Sequence, residues 1–333
     1  MKNIKTSLII LALCLAFASA TIVDARPQSI SIPGGSEGIG FDDIGFARQI
    51  NRIVVPAGKT GKIFLINPKN RALIDISGFS VVGKKGGSVT SADEGAGFLF
   101  TADKTALTVS IVDLKRRKII SSFPLSGKPD YVRYVAPIHE IWVSEPKQER
   151  IEIFSLSLGK RPSLKHKAFI AVNGGPESLV IDHIRNRAYT NLWSSSTLSI
   201  DLKTRAIIES WSNGCANSRG LALDIKRGFL FVACKEGSAK TLAIAHNGKI
   251  LGDSKTGAGV DIIAYNSKLS HLYVPGAKSA TLAIFHVSKT GSLSLLKTFK
   301  TAQRAHCVTS DDNGGIWICD PKRGQILFFK DHF

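Results

Sequence analysis

Five charged residues stand 12 positions ahead of large apolar residues that recur along the chain: Asp42 before Val54, Asp130 before Trp142, Glu177 before Tyr189, Arg219 before Phe231 and Asp261 before Tyr273. The same count reaches Ser88 before Phe100 and Ala305 before Trp317, and His306 follows the latter. If the repeats meet around one axis, four carboxylates and an arginine ring a single opening. Asp42, Asp130, Glu177 and Asp261 would then offer the hard oxygen ligands that calcium or magnesium takes, or an acidic seat for a cationic ligand. With His306 as a base, or a metal to activate water, the same groups would suit a hydrolase of the lactonase kind. The plainer alternative is structural, with acids capping strand starts and pairing with Arg219 or nearby lysines. Tyr131, Trp193 and Trp211 fall toward the same opening, where aromatic faces stack a ligand or else cover the junctions between repeats. The sequence contains no HExxH, Walker loop or CxxC, so no residue is assigned a catalytic role and no cofactor is required. The other histidines, at 139, 166, 183, 246, 271, 286 and 332, lack metal-ligand spacing.

The recurring apolar residues, Val54, Phe100, Trp142, Tyr189, Phe231, Tyr273 and Trp317, lie 42 to 47 positions apart. Within one unit the alternation of apolar and polar positions predicts four short strands: Ser178–Asp182, Arg187–Asn191, Thr197–Asp201 and Ala206–Trp211. Asn247-Gly248 and Asn313-Gly314-Gly315 are hairpin turn signals, because these residues adopt positive φ at little cost. A four-stranded sheet repeated at this period is a propeller blade, which buries its faces only against its neighbours. The expected fold is all-β, a single seven-bladed β-propeller over residues 21–333. The last unit, from Ala302 to Phe333, has room for only three strands, and Gln28–Pro33 offers the fourth. That join would remove an exposed sheet edge. In such a ring the residues just ahead of each inner strand converge at one channel mouth, the default site.

Arg187-Ala188-Tyr189-Thr190-Asn191 followed by Leu198-Ser199-Ile200-Asp201-Leu202, echoed at Ile111-Val112-Asp113-Leu114 and His271-Leu272-Tyr273-Val274, resembles the YVTN-type repeat propellers. The likeness spans nearly the whole chain after its first residues and implies an exported or periplasmic propeller. It is specific for architecture and leaves function open, since these are structural repeat positions. Blades built on Glu140-Ile141-Trp142-Val143 and Gly315-Ile316-Trp317-Ile318 depart from the motif. A transmembrane β-barrel is the rival fold, but its strands run to about ten residues and need aromatic girdles; the runs here are shorter and tyrosine is scarce.

Lys2 and Lys5, an apolar run from Leu8 to Phe17 and the small residues Ala18, Ser19 and Ala20 have the layout of a secretory signal peptide over residues 1–20. The expected location is periplasmic or secreted, with no transmembrane segment after cleavage. Hydrophobic residues at 44% and charged residues at 21% exclude a disordered chain. Loss of Lys2 and Lys5 with no acid would take the net charge from +18 to +16. In an oxidising compartment the four cysteines left by cleavage suggest two disulfides. Cys215 and Cys307 lie ahead of inner strands, and Cys234 and Cys319 close the strands beside them, so the pairs expected are 215–234 and 307–319.

Basic residues gather in the turns between first and second strands and between third and fourth. They are Arg48, Arg52, Lys69, Arg71, Lys115, Arg116, Arg117, Lys118, Arg185, Arg187, Lys203, Arg205, Lys226 and Arg227. Both turn types emerge opposite the mouth, giving a basic face fit for an anionic polymer such as nucleic acid, or for an acidic membrane surface. The plainer alternative is turn charge that keeps the protein soluble. The leading expectation is a scaffold that binds a small ligand or a protein at the mouth. A metal-assisted hydrolase at the mouth, or a polyanion binder on the opposite face, are the alternatives.

Overall fold

Short alternating runs ended by Gly, Asn and Asp turns pair with their chain neighbours, and in the computed structural model of the protein this local pairing accounts for nearly every sheet contact. The structure describes residues 27–81 and 87–333; residues 1–20, expected from the sequence to be a signal peptide, lie outside the described residues. There are seven antiparallel sheets of four strands. Six are simple meanders, each running from an inner to an outer strand. In the fourth, Glu177–Asp182, Arg187–Asn191, Ser196–Asp201 and Ile207–Ser212 follow one another. The seventh blade is built from both ends of the chain. Val308–Ser310, Gly315–Asp320 and Gln325–Lys330 supply three strands, and Gln28–Ser31 adds the outermost, pairing Gln28 with Phe328 and Ser31 with Gln325.

The seven repeating apolar residues all lie on second strands and are at most 3% exposed. Each junction between neighbouring blades carries its own apolar cluster. Trp142 and Ile153 of blade three meet Ala188 and Ile200 of blade four, while Ile53 and Phe64 of blade one meet Trp317 and Ile326 of blade seven. A blade therefore has no core of its own, and the ring stands or falls as a unit. Polar ties supplement this packing. The Asp331 carboxylate, beyond the last strand, accepts the Tyr273 hydroxyl at 2.6 Å and lies 2.8 Å from His271 Nδ1, fastening the chain end to blade six. Cys215 and Cys234 lie at disulfide distance in blade five, and so do Cys307 and Cys319 in blade seven, with Cα–Cα separations of 5.1 and 5.6 Å. Among the described residues no helix is long and apolar enough to cross a membrane.

Candidate functional site

Inner strands begin at one face of the disc, and a cavity of about 470 Å³ opens there. Its walls include Asp42, Asp130, Glu177 and Asp261, from four blades, together with Trp193 and His306. A second hollow of about 550 Å³ shares Glu177, Asp261 and His306 with it and adds Arg219. Local irregularity aims some of these groups. The ladder slips between Glu177 and Val180, and Ser178 takes φ 69°, so Ser178 and Leu179 bulge out of the pairing while Glu177 stays opposite Asn191 at the head of its strand. Ser88 and Ala305 are fully buried, and in their blades Thr90 and His306 reach the cavity instead.

Lys104, at the end of a second strand, was not among the residues singled out from the sequence. Its Nζ lies 2.9 Å from Asp130 Oδ1 and 3.4 Å from Asp42 Oδ2, bridging the two acids. Glu177 accepts the Trp193 Nε1–H at 2.6 Å and faces Arg219 Nη1 at 3.4 Å. Among the described residues, Lys104 and Arg219 are the cations ion-paired with these four carboxylates. Burial pushes Asp42 well above the usual carboxylate range; Lys104 pulls it back, and Asp130 and Asp261 add to the rise. Burial likewise raises Asp261 against the pull of His306 and Arg219. Glu177 is pushed up to about 7, by burial first and then by Asp130 and Asp261. The Lys104 ammonium is held above its ordinary value by Asp42 and Asp130 in spite of burial.

His306 places Nδ1 2.8 Å from the Arg304 carbonyl and Nε2 3.0 Å from the Phe41 carbonyl, tying blade seven to the segment that leads into blade one. With both ring nitrogens facing acceptors, neither offers a free lone pair to a substrate in the cavity, which is poor geometry for a general base. The mouth carboxylates also do not close on a common point. Among the described residues, the trios of ligand atoms within 4.8 Å of one another are His306, Cys307 and Cys319, and Cys215, Cys234 and Glu236. Both include a paired disulfide, whose sulfurs are no longer thiolate ligands.

Trp211 is 5% exposed and packs between blades four and five, its ring 5.8 Å from Tyr189, away from the opening. Tyr131 touches the cavity but is also 5% exposed, with the Arg133 guanidinium 5.0 Å from its ring. Beside it Arg133 lines the central channel. Its Nη1 and Nη2 donate to Asp43 of the blade-one segment at 2.6 and 3.1 Å, and its Nε donates to the Leu179 carbonyl of blade four at 3.0 Å. These contacts join blades one, three and four at their inner edges.

On the opposite face most of the arginines singled out from the sequence are engaged locally. Arg116, Arg185 and Arg227 each fold back onto the aspartate three residues earlier, Asp113, Asp182 and Asp224, whose carboxylates also accept N–H groups of the same turns. Arg187 pairs with Asp201, Arg48 with Asp312, and Arg205 with the buried Glu140. Arg52 donates to the Ile50 and Asn51 carbonyls, and Arg71 lies over the Phe328 ring. Lys69, Lys115, Arg117, Lys118, Lys203 and Lys226 are exposed.

No family model matches the sequence, and none of the curated proteins compared with it matches either. Solved structures do match in shape. A chain of the structure titled "Crystal Structure of Mitotic Checkpoint Complex" superposes with TM-score 0.76 at 10% identity, covering 98% of this chain and 100% of that one. A chain of Kuenenia stuttgartiensis hydrazine synthase gives 0.72 at 11% identity over 91% and 97% of the two chains. The β-propeller domain of Myceliophteria thermophila Cps50 (Swd1) gives 0.73 at 12% identity over 92% and 99%. The chain is therefore a seven-bladed propeller of the WD40-like fold, and at these identities the likeness speaks for fold alone.

Proposed function

We propose that the protein is an exported binding propeller, akin to the YVTN-type repeat proteins, that captures a cationic group in the carboxylate recess of its mouth. The observation that supports this is the imbalance of charge there. Among the described residues Asp42, Asp130, Glu177 and Asp261 have only Lys104 and Arg219 as paired cations, and three of the four acids have raised proton affinity. Burial is the first cause of these shifts and repulsion between the acids adds to it, so an ammonium or guanidinium seated beside Trp193 would be drawn to the recess. The two cysteine pairs and the leader-like first 20 residues fit a protein of the periplasm or the extracellular space.

Arginine amide, titrated calorimetrically at pH 6 and pH 8, tests the reading. Binding should tighten at pH 8 and release protons at pH 6, since Glu177 must ionise to receive the ligand. Glu177→Gln together with Asp130→Asn should abolish it. Absence of binding at both pH values would sink the proposal. Calcium or magnesium binding at the same residues would replace the organic cation with a metal, and cleavage of a lactone lost in the same variants would make the protein an enzyme.

A further inference from the structure

The loops that follow the second strands carry a repeated feature of their own. Four or five positions after the core residue of each blade stand Lys59, Lys104, Lys147, Lys235, Lys278 and Lys322, with Trp193 at the remaining blade. Lys104 turns inward onto Asp42 and Asp130, and Lys59 faces Glu37 at 3.6 Å. The other four are exposed, and they border the same concavities as the acids. Lys147 lines the mouth cavity, Lys235 and Lys278 the adjoining hollow, and Lys322 a third hollow of about 590 Å³ that also meets His306. Lys128 and Arg304 stand among them. None of these six forms an ion pair among the described residues, whereas two of the acids nearby are engaged with backbone. Glu236 accepts the Ala216 and Asn217 N–H groups at 2.7 and 3.2 Å, and Glu149 accepts that of Gly174 at 2.9 Å. The mouth face is thus a target of two signs, a recessed centre of carboxylates inside a rim of free cations.

We infer that this rim docks the carboxylates of an acidic protein segment whose central basic side chain enters the recess, an inference that rests on the proposed cation seat. A continuous phosphate polymer laid across the mouth would meet Asp42, Asp130, Glu177 and Asp261 at the centre and be repelled there. A peptide or loop can alternate charge along its length and satisfy both zones. The rim is mostly lysine, which supplies point charges in place of the forked geometry that matches phosphate bidentately, and it carries one exposed ring, Trp193, too few for stacking along a nucleic acid strand.

Fluorescence anisotropy with three labelled seven-residue peptides tests the arrangement: a central arginine flanked on each side by two glutamates, the same with glutamines for glutamates, and the same with glutamine for arginine. The first should bind about tenfold or more tighter than either of the others at low salt, with the advantage over the glutamine-flanked peptide shrinking as salt is added. Lys235→Glu with Lys278→Glu should remove that advantage, and the added negative charge beside Asp261 should hold or tighten the glutamine-flanked arginine peptide. Equal affinity of the glutamate- and glutamine-flanked arginine peptides overturns the rim. Loss of the glutamine-flanked peptide's binding in the intact protein sinks the cation seat instead, so the two failures are told apart. A DNA duplex bound as tightly as the first peptide, and lost in the same double variant, would also overturn the inference in favour of a phosphate polymer.

Discussion

The two faces of the disc are both rich in charge, but they use it differently. On the turn face opposite the mouth, most of the arginines meet a carboxylate of their own or the next blade, as Arg185 does with Asp182 and Arg205 with Glu140. The result is a set of closed pairs that hold turns and blade junctions. At the mouth the acids come from four different blades, outnumber their partners and hold protons. Charge that is satisfied locally builds structure, and charge that is gathered from afar and left unsatisfied is available to a ligand.

The sharpest way to break the comparison is to remove a turn-face carboxylate. Glu140 is fully buried and accepts from Trp142 Nε1 at 2.9 Å, from Lys167 Nζ at 2.7 Å and from Arg205. Glu140→Ala should cost about 3–5 kcal/mol, measured by denaturant unfolding, because it strands Arg205 and the indole N–H. Arginine amide binding at the mouth should be unaffected.

A mouth carboxylate should behave in the opposite sense. Glu177 has its folded-state pKa raised from 4.5 to about 7, so the native state binds more protons than the unfolded chain between these values. Its contribution is therefore lost as pH rises from about 4.5 to 7, and is worth about 3 kcal/mol across that window. Asp42 and Asp261 shift the same way. Glu177→Gln should flatten the decline in unfolding free energy between pH 5 and 7 and stabilise the protein at pH 8. A steeper decline in the variant would show that Glu177 is not the group responsible. The smallest effect belongs to the rim. Lys235→Gln, at an exposed position, should change stability by less than about 0.5 kcal/mol.

The architecture was legible in the sequence because each blade must present one large residue to its neighbour, and Trp142, Tyr189, Tyr273 and Trp317 mark that position at nearly constant spacing. The fourth blade's strands match their expected bounds within a residue or so. Counting back from the same residues brought Asp42, Asp130, Glu177, Arg219 and Asp261 to one face, yet it failed at Ser88 and Ala305, where the approach to the inner strand follows a different path and hands the cavity to Thr90 and His306. Lys104 was missed because the count ran only toward the amino terminus, although the lysines recur just as regularly in the other direction. Trp211 misled because a residue near the end of an outer strand can turn into the junction with the next blade as easily as toward the opening. The turn arginines gave a net charge without its pairing. The Asp-x-x-Arg spacing at Asp182–Arg185 and Asp224–Arg227 was the signal that these charges close on themselves.

The tie made by Arg133, Asp43 and the Leu179 carbonyl joins the inner edges of blades one, three and four beside a central hollow of about 300 Å³ that strands from all seven blades line. Blades that are not neighbours in the ring are thereby coupled through one guanidinium, so Arg133→Ala would loosen the inner wall at three blades at once, where an apolar substitution at a single junction would touch two.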